Sequence, residues 1–293
     1  MNNEKYNIIK NKKGFIAALD QSGGSSAKTL ALYGIEKDNY SSDEEMFDLI
    51  HEMRTRVMKS KSFTSDKIIG VILFEQTMNR TIDGKLTSDY LWDKGIVSFL
   101  KIDKGLKDLE DGVQLMKDIP DLDKTLEEAK SKGIFGTKMR SVIKEANSEG
   151  IRNIVKQQFE IAKKIASHGL VPIIEPEVDI NAADKVKCEE ILHAEIAREL
   201  FVLPDDVKVM FKFTIPSFEN FYEDFMEDEK VVRIVALSGG YPMHEACEKL
   251  ALNNGLIASF SRALLEGLNV NQTEEEFDKK LAESIEEIYE ASI

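Results

Sequence analysis

Lys212 lies inside the apolar segment VKVMFKFTI, residues 207–215. Burying an unpaired ammonium group costs free energy, so a buried lysine tends to give up its proton. The neutral amine attacks carbonyl groups and forms Schiff bases. Lys212 is therefore a candidate nucleophile, and the alternative is a lysine whose side chain extends from the strand end into solvent.

The alternation of side chains along this segment favours an inward position for the lysine. In a β-strand, Val209 and Phe211 would point to one face, and Met210 and Lys212 to the other. Lys208 lies near the predicted strand start, where it can reach water, whereas Lys212 lies near the carboxyl end.

Polar residues also collect at the carboxyl ends of other apolar segments. They are Asp20, Glu75, Lys101 with Asp103, Lys138 with Arg140, Glu175 with Glu177, Ser238 and Arg262. Charges on nearly every strand end are difficult to explain by solvation alone, because charges in a dry interior must be paired. If these ends share one rim, the sequence predicts an active site there. Glu75 and Arg80 are expected to be structural, and an Arg140–Glu177 ion pair is one alternative for Arg140.

Eight apolar, β-rich segments alternate with charged, helical ones. The predicted strands are residues 14–20, 67–76, 97–103, 134–141, 170–177, 207–214, 232–238 and 256–261. Eight βα units in 293 residues, without a Pro/Ser/Gly-rich linker, predict one closed (β/α)8 TIM barrel spanning residues 1–293 as a single domain. A doubly wound open sheet is the alternative fold.

The intervening segments carry helix signals. Residues 41–60 open with a Ser-x-x-Glu capping box and have apolar residues at helical spacing. Residues 151–169 end in a C-cap glycine. Residues 187–201 and 243–255 have the same character, and the chain ends in another predicted helix.

Two segments have the composition of phosphate-binding loops. The motif LSGG (237–240) follows the seventh predicted strand, and FSRALLEG (260–267) follows the eighth and is predicted to open a helix. Glycines allow close backbone approach, and free N–H groups at a helix start bind anions. A second cluster, DQSGGSSAK (20–28), follows the first strand. Two such clusters suit a substrate phosphorylated at both ends.

Composition restricts the partners. The net charge of -14 argues against nucleic acid or an anionic membrane as a main partner, but not against a phosphorylated small molecule. Two cysteines without a disulfide framework, and no apolar signal or spanning segment, predict a cytoplasmic protein. The four histidines show no ligand spacing, so neither a metal site nor a cofactor is expected.

The ordered motifs AALDQSGGS, GVILFEQTM, FLKIDKG, TKMRSVIK, LVPIIEPE, ALSGG and SFSRAL, together with the Lys212 strand, carry a family resemblance. From about Gly14 to Gly267 the chain resembles class I (Schiff-base) fructose-bisphosphate aldolases, in their short bacterial-type form. The resemblance implies reversible, metal-independent cleavage of fructose 1,6-bisphosphate in glycolysis or gluconeogenesis. The implied catalytic residues are Lys212 as the Schiff-base lysine, Glu175 for carbinolamine dehydration, Asp20 for the C4 hydroxyl proton, and Lys138 for positioning and for favouring a neutral Lys212.

The resemblance also implies which residues bind the substrate. Ser238, Gly239, Gly240, Ser261 and Arg262 are expected at one phosphate, Ser22, Ser25 and Lys101 near the other, and Arg140 at the substrate. Two positions depart from the family pattern. Thr29 stands where a basic residue often follows the lysine of the 20–28 cluster. Longer family members end in a tail with a terminal tyrosine, whereas Tyr289 is not the last residue of this chain.

Other functions remain compatible with these residues. A transaldolase-type transferase or another Schiff-base phosphosugar aldolase would use the same lysine, although two phosphate clusters favour the bisphosphate lyase. A non-catalytic sugar-phosphate-binding protein on the same fold is a third class. The sequence is compatible with a monomer and with a homo-oligomer, and it leaves open the preferred ketose and the physiological direction.

Overall fold

The computed structural model describes residues 2–293. Its strands are β1 (Phe15–Leu19), β2 (Ile68–Leu73), β3 (Thr81–Ile82), β4 (Lys85–Leu86), β5 (Val97–Lys101), β6 (Val113–Gln114), β7 (Gly136–Ile143), β8 (Val171–Val178), β9 (Val209–Thr214), β10 (Val231–Leu237) and β11 (Ile257–Ala258). Eight of them, β1, β2, β5, β7, β8, β9, β10 and β11, are parallel neighbours in chain order. They coincide with the eight predicted strands.

The sheet curls round until its two edge strands meet. The amide of Ala18 in β1 donates to the carbonyl of Phe260, just beyond β11, at 3.1 Å. The order of the strands never reverses along the sheet, as it would in a doubly wound fold. The predicted (β/α)8 barrel is therefore confirmed.

Helices connect and surround the strands. They are α1 (Asn3–Asn11), α2 (Gly24–Tyr33), α3 (Asp43–Lys59), α4 (Glu75–Met78), α5 (Thr87–Asp93), α6 (Leu122–Ser131), α7 (Ser148–Ser167), α8 (Lys185–Val202), α9 (Glu223–Met226), α10 (Met243–Ala251) and α11 (Glu274–Glu290). The hydroxyl of Ser42 caps α3 by accepting from the amide of Glu45, whose carboxylate reaches back to Ser41. Beyond α7, Gly169 adopts a φ of 80° and ends the helix as predicted.

The sheet separates two apolar layers. In β9, Met210 packs with the residues that fill the barrel interior, whereas Phe211 and Phe213 pack into the layer between the sheet and the helices. The predicted alternation is therefore confirmed in the middle of the strand. Lys208 precedes β9, and its Nζ donates to the carbonyls of Asp205 and Glu229 at 3.0 and 3.1 Å.

Helix α1 covers the amino-terminal end of the barrel. Ile9 packs among the interior residues and is fully buried. Lys5 lies over the Trp92 ring and donates from Nζ to the carbonyl of Gly133 at 2.5 Å. Arg233 of β10 donates to the carbonyl of Lys12 at 2.7 Å. This end is thus closed, and the cations there bind main-chain oxygens.

Three short strands were not predicted. The antiparallel pair β3–β4 forms a hairpin after β2, and β6 pairs antiparallel with the end of β7. Each has only two residues, which is too few for a periodicity to show. Within residues 2–293, no helix is both long and apolar enough to cross a bilayer.

Candidate active site

A cavity of about 520 Å³ opens at the carboxyl-terminal ends of the barrel strands. Parallel strands bring these ends to one rim, which is where such barrels carry their sites. All of the predicted site residues except Gly240 line it: Asp20, Ser22, Ser25, Lys101, Lys138, Arg140, Glu175, Lys212, Ser238, Gly239, Ser261 and Arg262. Gly240 lines a neighbouring cavity of about 360 Å³, which shares Arg262.

Lys212 reaches into this cavity from inside the barrel. Its side chain is buried, and Nζ lies 3.3 Å from Oε1 of Glu175 on the adjacent strand β8. The sequence led us to expect that charges in the dry interior are paired, and the structure gives Lys212 this carboxylate as its partner. A carboxylate at this distance can exchange protons with groups that form on the lysine nitrogen.

Lys138 connects two carboxylates that line the cavity. Its Nζ lies 2.6 Å from Oδ2 of Asp20 and 2.9 Å from Oε2 of Glu175, and all three side chains are buried. With Lys212 they form a continuous series of contacts containing two carboxylates and two lysines. Because each charged group has a neighbour of opposite charge, the ion pairs offset the free-energy cost of burying four ionisable groups.

The charges in this series are mutually stabilised. Burial favours the neutral form of Asp20, but Lys138 and then Lys212 outweigh it and hold the pKa of Asp20 well below its usual range. Burial likewise opposes the charge on Lys138, yet Asp20 and Glu175 raise the pKa of Lys138 above its usual value. Lys138 therefore stays an ammonium at any physiological pH and acts as a fixed charge.

The carboxylate of Glu175 lies between two lysines. Among the described residues no hydrogen-bond donor is aligned on Oε2 of Glu175, although Lys138 lies beside it. The backbone is held from behind, because Gln158 of α7 donates to the Glu175 carbonyl at 3.2 Å. A carboxylate fixed with Oε1 beside Nζ of Lys212 is suited to accept and return a proton.

Two further ion pairs border the cavity. Nζ of Lys101 lies 2.7 Å from Oδ1 of Asp103, and Arg140 pairs with Glu177 on the neighbouring strand. Burial disfavours the charge of Arg140, but Glu177 outweighs burial and raises the pKa of Arg140. The ion pair weighed as an alternative for Arg140 is present, and Arg140 lines the cavity as well.

The loop after β10 requires glycine at both of its glycine positions. Gly239 and Gly240 have φ values of 63° and 118°, in the region that side chains disfavour. A Cβ on Gly239 would lie 2.5 Å from Cγ2 of Ile180. Glycine at position 239 thus lets the loop turn tightly against Ile180 while Ser238 and Gly239 line the cavity.

The prediction that a helix begins in residues 260–267 was wrong. These residues form turns, because the amide of Leu265 is shared between the carbonyls of Ser261 and Arg262 and the later bonds span only three residues. Gly267, with a φ of 79°, then ends the turn. The groups here that could bind an anion are therefore side chains and single amides rather than a helix terminus.

The phosphate cluster predicted at residues 20–28 lies at the start of α2. The hydroxyl of Ser25 donates to the carbonyl of Ser22 at 2.7 Å and accepts from the amide of Ser22 at 2.8 Å. Lys28 and Thr29 also line the cavity. One lysine and two serines thus line the rim beside the loop after β11, because β1 and the end of β11 close the barrel.

Residues expected to be structural lie away from the cavity. Arg80 pairs with Asp48 at 2.6 Å, and Glu75 with Lys104 at 3.0 Å. Tyr289 lies near the other end of the barrel, where its ring is 5.8 Å from Nζ of Lys67, the residue before β2. Within residues 2–293, no group of three or more His, Cys, Asp or Glu side chains is placed to hold a metal ion.

Sequence analysis missed three residues of this region. Asp103 was noted only as a strand end, and Gln21 only as part of a motif, although both line the cavity. Arg54 gave no signal at all, because it lies in the middle of an amphipathic helix, yet it is fully buried and touches Gln21.

A family model, a related sequence and a solved structure are each similar to this chain. The family model described as fructose-bisphosphate aldolase class-I matches residues 1–217. The fructose-bisphosphate aldolase class 1 of Clostridium acetobutylicum is 63% identical over 294 residues, covering 100% of both chains. The aldolase of Plasmodium falciparum, solved in complex with TRAP and a small-molecule inhibitor, is similar in fold, with a TM-score of 0.76 and 19% identity over 98% of this chain and 92% of that chain.

Proposed function

The chain belongs to the class I fructose-bisphosphate aldolase family, and from this we propose how its own residues divide the chemistry. The enzyme is a lyase that cleaves fructose 1,6-bisphosphate reversibly to dihydroxyacetone phosphate and glyceraldehyde 3-phosphate, and class I enzymes need no metal ion. One observation carries the assignment of residues: the series of charge contacts that runs from Asp20 through Lys138 and Glu175 to Lys212.

Lys212 is the proposed nucleophile. Its amine adds to the C2 carbonyl of the ketose, and the resulting carbinolamine loses its hydroxyl as water. Glu175, whose Oε1 lies 3.3 Å from the lysine nitrogen, takes a proton from the Lys212 ammonium, which leaves the amine neutral, and then returns that proton to the departing hydroxyl. The product is a protonated imine, which is the electron sink for cleavage.

Asp20 is the proposed acceptor of the C4 hydroxyl proton. As the C3–C4 bond breaks, its electron pair moves toward the imine and gives an enamine, while C4 becomes an aldehyde carbon. Because the pKa of Asp20 is held low, this carboxylate is a weak base toward an ordinary hydroxyl. The transfer becomes favourable as the bond breaks, since the oxygen proton of a forming aldehyde is far more acidic. Proton transfer is thereby tied to carbon–carbon cleavage.

Lys138 is proposed to act as a fixed charge between the two carboxylates. Its raised pKa keeps it protonated throughout the cycle, so it neither supplies nor takes up the reaction's protons. It holds Asp20 and Glu175 at 2.6 and 2.9 Å and so sets their separation. It also keeps Asp20 ionised before substrate binds.

Strand order suggests how the two phosphates are divided. Lys212 of β9 pairs in register with Val235 of β10, and Ser238 follows β10 directly. The loops after β10 and β11 therefore lie closest to the lysine and suit the phosphate on C1, one carbon from the imine. Ser22 and Lys101 lie three strands away in either direction and suit the phosphate on C6.

Reductive trapping tests this assignment. Borohydride added with dihydroxyacetone phosphate should fix the triose phosphate on one peptide that contains Lys212, found by peptide mapping. Lys212→Ala and Lys212→Arg should both abolish labelling and cleavage, because a guanidinium remains protonated and is not a nucleophile. Lys208→Arg, at the exposed start of the same segment, should label and turn over as the parent does. Label on Lys101, Lys138 or Lys208 would overturn the mechanism.

We propose that the phosphosugar is the principal partner and that the enzyme works in the cytoplasm. Both cysteines, Cys188 and Cys247, are free and buried. Burial raises the pKa of each thiol to about 12, so neither is poised for oxidation. Activity recovered in the soluble fraction of gently lysed cells supports this location, and activity that sediments with membranes contradicts it.

A further inference from the structure

Arg54 of α3 is a buried cation outside the catalytic series. Its side chain is fully buried, and among the described residues it contacts no carboxylate. It donates from Nη1 to Oγ1 of Thr77 at 2.7 Å, and from Nη2 to the carbonyl and Oε1 of Gln21 at 2.6 and 3.0 Å. Burial lowers the pKa of Arg54 to about 9, so it remains charged at neutral pH.

Arg54 dictates which way the amide of Gln21 faces. A guanidinium has only donors, so the oxygen of the amide must face it and the NH₂ group must face away. On that other side, Nε2 of Gln21 donates to Oγ of Ser261 at 2.8 Å. The direction of donation is therefore fixed: Arg54 donates to Gln21, and Gln21 donates to Ser261.

This polarity determines what the hydroxyl of Ser261 can do. Since Gln21 is the donor, the hydroxyl oxygen of Ser261 acts as acceptor in that bond and its own proton is free to point elsewhere. Ser261 and Gln21 both line the catalytic cavity, beside Arg262. Phosphate oxygens offer acceptors only, so a hydroxyl held in this way is a ready donor to them.

We propose that Arg54 and Gln21 are positioning residues that set the Ser261 hydroxyl as a hydrogen-bond donor to a substrate phosphate. The proposal rests on the phosphate role of Ser261 proposed above. It also explains why an amide suits position 21. A carboxylate there would pair with Arg54 equally well, but it would accept the proton of Ser261 and turn that hydroxyl away from the phosphate.

A double-mutant cycle tests the series of hydrogen bonds from Arg54 through Gln21 to Ser261, here called the relay. Gln21→Met keeps the length of the side chain and removes both polar atoms. It should raise KM for fructose 1,6-bisphosphate and the inhibition constant of inorganic phosphate severalfold, with kcat nearly unchanged. Ser261→Ala should raise both constants about tenfold, as expected for loss of a bond to a charged group. In the Ser261→Ala background, Gln21→Met should have no further effect, because the two residues act through one hydroxyl.

Gln21→Glu separates polarity from packing. It should raise KM by more than Gln21→Met does, while the melting temperature equals or exceeds that of the parent, because Arg54 gains a carboxylate. Thr77→Val is the matched control, since it removes the other partner of Arg54 outside the cavity. It should lower the melting temperature and leave KM unchanged.

The outcomes distinguish the relay from the phosphate site itself. If Ser261→Ala raises KM but both Gln21 variants bind as the parent does, the relay is wrong and the phosphate site stands. If Ser261→Ala has no effect, the phosphate role of Ser261 fails and the relay fails with it. An increase in KM for Thr77→Val that matches Gln21→Met would show a purely structural effect and overturn the proposal.

Discussion

Lys5 and Arg233 at the closed end of the barrel have different partners from Lys138 and Arg140 at the open end. At the closed end, Lys5 and Arg233 bind main-chain carbonyls, and burial lowers the pKa of both. At the open end, Lys138 and Arg140 pair with carboxylates, which raise the pKa of both above their usual values. One fold thus holds cations of the same kind in opposite electrostatic settings.

The different partners of these cations indicate different roles for the two ends of the barrel. A carbonyl oxygen satisfies the donors of a buried lysine but does not balance its charge, so such a contact mainly closes a surface. A carboxylate balances the charge and keeps the pair ionised, which leaves fixed charges beside a cavity. We therefore expect substitutions at the open end to change catalysis, and similar substitutions at the closed end to change only stability.

The largest expected effect is at Glu175. Glu175→Gln keeps the shape of the side chain but removes its proton chemistry. Formation of the imine should slow by roughly 10²–10⁴-fold, measured by rapid-quench borohydride trapping. Glu195→Gln alters a buried carboxylate of α8 that pairs with Arg152 outside the cavity and should trap at the parental rate. Unchanged trapping by Glu175→Gln would assign the proton transfers elsewhere.

Lys138→Met should have the next largest effect. It leaves Asp20 and Glu175 buried without their shared cation, so kcat/KM should fall by about 10²–10³-fold and the free energy of unfolding by about 3–5 kcal/mol. Lys5→Met is the counterpart at the closed end, and its kcat/KM should stay within about twofold of the parent, as for changes remote from a site. Steady-state kinetics and urea denaturation check both. Equal losses of activity in the two variants would remove the distinction between the ends.

Arg262→Ala should act on substrate binding. Loss of a guanidinium contact to phosphate should raise KM for fructose 1,6-bisphosphate by about tenfold to a hundredfold, with a smaller effect on a substrate lacking that phosphate. Arg233→Ala removes a cation from the closed end and should lower the melting temperature without changing KM. If Arg262→Ala weakens both substrates equally, Arg262 is structural.

The smallest expected effect is in the pH dependence of stability. Because the pKa of Lys5 is lowered, the native state binds fewer protons than the unfolded state as pH approaches about 10.4, so Lys5 makes stability rise with pH. The pKa of Lys138 is raised, so its contribution is fully present below about 10.4 and is lost only at higher pH.

Melting temperatures at pH 7 and pH 10 separate these two cases. Between those values, the parent should gain stability relative to Lys5→Met, whereas its advantage over Lys138→Met should stay constant. A parallel shift in both comparisons would mean that the two lysines experience the same environment, contrary to their different partners.

Much of the site could be predicted because βα repetition fixes where strand ends meet. Once eight apolar segments were recognised, residues such as Asp20 and Lys212 had to share one rim, and the structure places both at the cavity. Arg54 could not be predicted in this way. It comes from a helix outside the sheet, and only the packing of α3 against the loop after β1 makes it a neighbour of Gln21.

The sequence by itself determined the barrel, its strand boundaries to within a few residues, and the residue types at its mouth, because these follow from local periodicity. Tertiary structure alone decided the pairing. It gave Lys212 a carboxylate partner, shared Lys138 between Asp20 and Glu175, and replaced a predicted helix with turns after β11. Ion pairs depend on distances between strands that are far apart in sequence, and no local pattern encodes those distances.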